Sequence, residues 1–200
     1  MKRFGERFLL SLLCGFLIFS MCPVSVWAAE ETEEEEVDYY AEAEARKSEE
    51  IQSNSIAGWP QGPAIGAEGA ILMEADSGTV LYAKNIHEHL YPASITKLLT
   101  GLLAYEKLSM DDMVEFSETA VFSIEFGSSS IGIDPGEALT VEQSLYALMV
   151  ASANEVAAGL AEKMGGSLDK FPDMMNSRAE SLGCTDSHFT NPHGLFNEEH

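Results

Sequence analysis

Read for its apolar spacing, the chain offers one pair of strands followed by helices. Gly69 to Asp76 (GAILMEAD) and Thr79 to Lys84 (TVLYAK) are short runs rich in β-forming residues, and Ser77-Gly78 between them supplies turn chemistry. From Pro92 to Tyr105 the chain reads PASITKLLTGLLAY, with Lys97 its only charge, which predicts a buried helix starting near Ser94. A loop-rich stretch containing FGSSSIGIDPGEAL follows, and then Thr140-Val-Glu-Gln143, a capping box. The helix it opens carries Leu145, Leu148 and Met149 on one face. The pattern breaks at Ser152-Ala-Asn154, where Asn154 fits an N-cap, and resumes in EVAAGLAEKMGG, where Gly165 fits the position just past a helix end. A last helix is expected from about Asp173 to Leu182, stopped by Gly183. Strands first and helices after them make the expected class α+β, with no internal repeat.

An isolated lysine in an apolar helix needs a partner or a task, because burying an ammonium is costly. Positions three apart share a helix face and side chains lean toward the N-terminus, so Lys97 reaches back over Ser94. A serine hydroxyl is a weak nucleophile until a neighbouring base takes its proton. Lysine can be that base once burial lowers its pKa, by up to about 3–5 pH units in the extreme. The Ser-x-x-Lys spacing alone is weak, since Ser167-Leu-Asp-Lys170 matches it too. That second copy follows Gly-Gly and contains Asp169, so it reads as a solvated helix start with Ser167 as N-cap.

Composition narrows the setting. The 200 residues carry 11 Lys and Arg against 33 Asp and Glu, a formal charge of -22. No basic patch can be built from so few cations, which argues against nucleic acid or anionic lipid as the main partner. MKRFGER, the apolar run from Phe8 to Met21 and Val26-Trp27-Ala28 read as a secretory signal over residues 1–28, with an exported, extracytoplasmic product. Removing it leaves Cys184 as the single thiol, in a position that reads as packing, so no intrachain disulfide is available. Residues 29–57 are expected to be an acidic disordered linker, because Glu30 to Glu50 holds eleven acids and two bases. GWPQGPAIG at 58–66 then marks entry to a folded domain over 58–200.

Ser152-Ala-Asn154 is the one Ser-x-Asn in the chain and falls where a helix is interrupted. A hydroxyl there can relay a proton from Lys97 toward a leaving amine, and Asn154 can hydrogen-bond the lysine or a substrate amide. With Ser94 and Lys97 it completes two of the three motifs shared by β-lactamases and penicillin-binding proteins. PASITKLLT, SANEVA, FPDMMNSRAESLG at 171–183 and Asn191-Pro-His-Gly-Leu195 together resemble the serine-type D-alanyl-D-alanine carboxypeptidases, the low-molecular-mass penicillin-binding proteins.

The resemblance implies a β-lactamase/penicillin-binding-protein-like serine peptidase domain. It makes Ser94 the acyl-ester nucleophile, Lys97 the proton acceptor, Ser152 a proton relay and Asn154 a substrate-binding residue. The implied substrate is the peptidoglycan stem peptide ending in D-Ala-D-Ala, with β-lactams as covalent inhibitors and neither cofactor nor metal. The family's third motif, Lys-Thr-Gly, is absent; Lys163-Met-Gly165 is better read as a helix end. The later β-rich domain and a C-terminal membrane-binding helix are absent too. The chain is therefore expected to be a fragment truncated before its later strands, inactive by itself and reaching a membrane only through that missing anchor.

His193 sits among turn residues and duplicates a base the lysine already provides, so it is not expected to be catalytic. His87 and His89 flank Glu88 without a third metal ligand in view. Two other functions stay open at this level. One is a class A-like β-lactamase, although Asp186 to Thr190 lacks the Glu-x-x-x-Asn pattern. The other is a catalytically inactive wall-binding protein of the same fold.

Overall fold

The computed structural model describes residues 38–200, which fall into two compact units divided after Lys84. The expected signal segment, Cys14, Cys22 and the first part of the acidic run lie outside the described residues. No helix among the described residues is long and apolar enough to cross a membrane.

In the first unit, helix α1 (Tyr39–Arg46) is capped by the Asp38 side chain, which accepts from the backbone of Tyr40 and Ala41 at 3.1 and 3.0 Å. Strands β1 (Ala70–Met73) and β2 (Val80–Lys84) pair antiparallel, Ala70 opposite Lys84 and Leu72 opposite Tyr82, as the two runs joined by a turn predict. Lys84 ends β2 and is 1% exposed. Its Nζ donates to the carbonyls of Arg46 (2.7 Å), Ala67 (2.7 Å) and Ile65 (3.2 Å) and pairs with Glu49 at 3.0 Å. A buried ammonium must be fully satisfied, and the satisfying oxygens here come from the acidic segment and the Pro/Gly-rich entry. Within residues 38–57 the structure places α1 and a 3-10 turn at Gln52–Ser55. Arg46 and Lys47 pair with Glu42 and Glu44 in the same stretch, and Ile51 and Ser53 are buried.

The second unit contains α2 (Thr96–Lys107), β3 (Met113–Glu115), α3 (Glu118–Phe122), β4 (Ala138–Thr140), α4 (Val141–Val150), α5 (Asn154–Gly165) and α6 (Phe171–Ser181). The mixture is α+β, as expected. β3 and β4 pair antiparallel with Val114 opposite Leu139. They and α3 are too short to show a period, and the loop reading of this region passed over them. The capping box forms as predicted: Gln143 N donates to Thr140 Oγ1 at 3.1 Å, and Thr140 N to Gln143 Oε1 at 2.9 Å. Two helix ends move by one residue, Ala153 rather than Asn154 capping the start of α5 and Gly166 rather than Gly165 closing it. The final helix begins two residues ahead of its expected start, with Pro172 in its first turn.

Helix α5 is the axis of this unit. Its residues 154–161 are all buried, and it packs against α2, α3, α4, α6 and β3. The small side chains of VAAGLA let so many neighbours approach. Val156, Ala157 and Leu160 join Ala104, Val114, Phe116, Val141 and Leu148 in one apolar cluster, while Ala161 joins Leu103, Phe171 and Met175 in another.

Gly159 shows how tight this is, for a Cβ there would stand 2.5 Å from two ring carbons of the fully buried Phe116. Gly→Ala in a helix normally gains about 1 kcal/mol, whereas overpacking a filled core costs about 1–3 kcal/mol. Gly159→Ala should therefore lower the melting temperature despite its better helix propensity. A melt at or above that of the wild type would mean that Phe116 yields at no cost.

Candidate active site

The chain enters α2 through a single 3-10 turn, Ala93–Ile95, closed by Ile95 N donating to the Pro92 carbonyl at 3.1 Å. Ala93 lies at φ 46°, a left-handed conformation that a side chain disfavours. The turn leaves Ser94 exposed on the lip of the helix, and Lys97 follows one turn later at 2% exposure. Lys97 Nζ donates to Ser94 Oγ at 3.1 Å and to the His193 carbonyl at 2.8 Å. One turn further on, Thr100 Oγ1 donates to the Pro192 carbonyl at 2.6 Å.

This corrects the expectation of a helix buried by its apolar side chains at this end. The polar stripe Thr96, Lys97 and Thr100 is buried, while Ile95, Leu98 and Tyr105 are exposed. The reason lies in the segment around residue 193, whose carbonyls need donors and find them on that stripe.

Asn191 shapes that segment. Its Oδ1 accepts from Gly194 N at 2.7 Å and His193 N at 3.3 Å, and its Nδ2 donates to the Leu195 carbonyl at 2.9 Å. Gly194 lies at φ 82°, and a Cβ there would fall 1.8 Å from the Ala93 carbonyl oxygen and 2.8 Å from Thr96 Oγ1. Only glycine lets the two backbones come so close. The His193 ring is turned to its own loop, Nδ1 accepting from Leu195 N at 3.2 Å. Burial, then the charge of Lys97, then His200 push its pKa down to about 4, so the ring is neutral near pH 7. His193 enters the site through its carbonyl, a contribution that a search for reactive side chains does not find.

Between α4 and α5, Ser152 adopts φ 55°, and Ala153 N donates back to the Ala147 carbonyl at 3.3 Å. This aims Ser152 Oγ at Ser94 Oγ, to which it donates at 3.1 Å. Asn154 is buried, and its backbone N–H donates to the Ser129 carbonyl at 2.9 Å. Ser94, Lys97 and Ser152 are thus brought together, with Asn154 two residues away in the first turn of α5.

Burial lowers the Lys97 pKa from 10.5 to about 8, and the carboxylate of Glu155 acts in the opposite direction. A neutral lysine keeps two N–H groups and gains a lone pair. One N–H can hold the His193 carbonyl while the lone pair faces Ser94 Oγ, an arrangement suited to taking the serine proton.

The second Ser-x-x-Lys has no comparable geometry: Ser167 lies on extended backbone with no side-chain cap, and Lys170 is exposed. Lys163 lies in the last turn of α5, as its helix-end reading predicts. Cys184 is exposed rather than packed, because the chain has already left α6. His87 and His89 line a cavity of about 530 Å³ with His188 and His200. Among the described residues, no group of three or more His, Cys, Asp or Glu is arranged to hold a metal ion.

Comparison with known proteins identifies the family of the chain. The D-alanyl-D-alanine carboxypeptidase family model matches residues 56–200. The chain is 34% identical over 200 residues to the D-alanyl-D-alanine carboxypeptidase DacF of Bacillus subtilis, covering 98% of this chain and 44% of that protein. It superposes on the crystal structure of a D-alanyl-D-alanine carboxypeptidase from Mycobacterium tuberculosis with a TM-score of 0.63 and 31% identity, over 74% of this chain and 54% of that one. For penicillin binding protein 6B of Escherichia coli the values are 0.62 and 32%, over 70% and 47%. The chain spans less than half the length of the curated relatives it matches. With a family match over most of its length and a penicillin-binding-protein type of fold, the chain belongs to the D-alanyl-D-alanine carboxypeptidase family.

Proposed function

We propose that the complete protein is a serine-type carboxypeptidase that removes the terminal D-alanine from peptidoglycan stem peptides through an acyl-enzyme. The observation that carries this reading is the convergence on Ser94 Oγ, with Lys97 Nζ and Ser152 Oγ each 3.1 Å away. Neutral Lys97 takes the Ser94 proton as Oγ attacks the carbonyl of the penultimate D-alanine. The proton passes by way of Ser152 to the leaving D-alanine amine, and water then hydrolyses the ester. Asn154 holds the substrate amide. Such a substrate places the enzyme outside the cytoplasmic membrane, and β-lactams would acylate Ser94 and block it.

Two outcomes test this in the complete protein. After treatment with penicillin, mass spectrometry should place the adduct on the peptide carrying Ser94, and an adduct on Ser152 or Ser167 would sink the assignment. Release of D-alanine from a D-Ala-D-Ala peptide should exceed hydrolysis of penicillin, whereas the reverse would make the protein a β-lactamase.

Acylation should follow the neutral fraction of Lys97. With a pKa of about 8, roughly a tenth of the lysine is neutral at pH 7, so the rate should rise about tenfold by pH 9 and then level off. Lys97→Arg, which stays protonated, should lose on the order of 10²–10⁴-fold. Near-normal acylation in that variant would place the base elsewhere.

Gly194→Ala should force the 191–195 segment away from Ala93 and carry off the acceptor that orients Lys97. A misplacement of about 1 Å can cost on the order of 10²-fold, so penicillin labelling should slow by at least tenfold in protein that still melts cooperatively. Wild-type labelling would show that the His193 carbonyl is dispensable.

A further inference from the structure

Glu155 follows the Ser-x-Asn motif and is 1% exposed. Its Oε1 accepts from Ser130 Oγ at 2.8 Å, Ile131 N at 2.7 Å and Gly132 N at 3.2 Å. Its Oε2 is buried without a hydrogen-bond partner among the described residues. The same loop is tied a second time by Asn154 N donating to the Ser129 carbonyl at 2.9 Å. Residues 129–132 are thus laced to the first two residues of α5, immediately after the strained backbone of Ser152. A loop anchor alone could be made by a neutral side chain. A carboxylate with one unsatisfied oxygen is a costly way to make it, which calls for a second use of the charge.

We propose that Glu155 is a positioning residue of the active site, whose carboxylate fastens the 129–132 loop to α5 so that the Ser152 turn stays aimed at Ser94, and whose charge acts on Lys97. The inference rests on reading Ser94 and Lys97 as nucleophile and base. Glu155 and Lys97 are both buried, on helices α5 and α2, which pack against each other, so the carboxylate acts on the ammonium through little solvent and favours the protonated lysine. The His193 ring on the facing segment is neutral near pH 7, and His200 reaches Thr96 Oγ1 at 3.3 Å. Glu155 is therefore the negative charge that limits how far burial can depress the lysine. Its removal should lower the Lys97 pKa further, while loss of its hydrogen bonds should loosen the Ser152 turn.

Two variants of the complete protein separate these roles. In Glu155→Gln a side-chain oxygen remains to hold the loop, but the charge is gone. The Lys97 Nζ titration, followed by NMR in the uninhibited protein, should move to lower pH, and the pH profile of penicillin acylation should move with it. In Glu155→Ala the amides of Ile131 and Gly132 should exchange faster, and acylation on its pH plateau should fall on the order of 10- to 100-fold. An unmoved Lys97 titration in Glu155→Gln overturns the electrostatic role, and it does so even if Glu155→Ala fails to fold. Wild-type exchange and acylation in Glu155→Ala overturn the positioning role. The NMR titration does not depend on turnover, so failure of the peptidase reading, seen as a wild type that never labels at Ser94, is distinguishable from failure of this one.

Discussion

As the base we propose, Lys97 has to be buried and held in place without being paired to an acid at contact distance. A carboxylate against Nζ would orient the amine, but it would also keep it protonated and useless as a base. A backbone carbonyl orients it without adding a charge, and the structure supplies one from His193 at 2.8 Å. Much of the surrounding architecture follows from bringing that carbonyl to α2. Asn191 curls the segment, Gly194 lets it touch the Ala93 backbone, and Thr100 fastens it one turn further along. The inverted burial at the start of α2, polar inside and apolar outside, follows from the same demand.

The second support is α5. Ala93 and Ser152 both hold left-handed backbone conformations, each costing on the order of 1–3 kcal/mol for a residue with a side chain. Such strain persists when the flanking structure is rigid enough to impose it. On the Ser152 side that rigidity comes from a helix buried over eight consecutive residues and from the loop fastened to Glu155. The small residues of α5 and the reactive turn ahead of it are therefore parts of one arrangement, since close packing holds the unfavourable backbone in place.

The sequence made the proximity of the candidate side chains more legible than the contacts that support them. Ser94, Lys97 and Ser152 could be read from spacing and setting because each motif is local: one helical turn, one helix break. The β1–β2 pair and the Thr140 capping box were legible for the same reason. What escaped depends on contacts between distant residues or on backbone atoms. A carbonyl has no signature in a sequence, so His193 appeared only as a turn residue. Nothing in the sequence sets Glu155 apart from any other acid in a first helical turn. The contacts of Lys84 escaped because the Arg46 carbonyl it binds lies 38 residues before it. Strands of three residues, β3 and β4, are too brief for alternation to register.

The contacts at Ser94 also span long distances along the chain. Ser152 lies 58 residues after it, and the carbonyl that orients Lys97 belongs to a residue 96 positions beyond the lysine. Contacts of such separation are closed late in folding, because the intervening chain must be ordered first. A ribosome makes α2 long before it makes residue 193, so a nascent chain carries the serine and the lysine without the groups that align them. On the function we propose, competence at this serine would be acquired with the tertiary structure, and a partly made or partly folded chain would be chemically silent there.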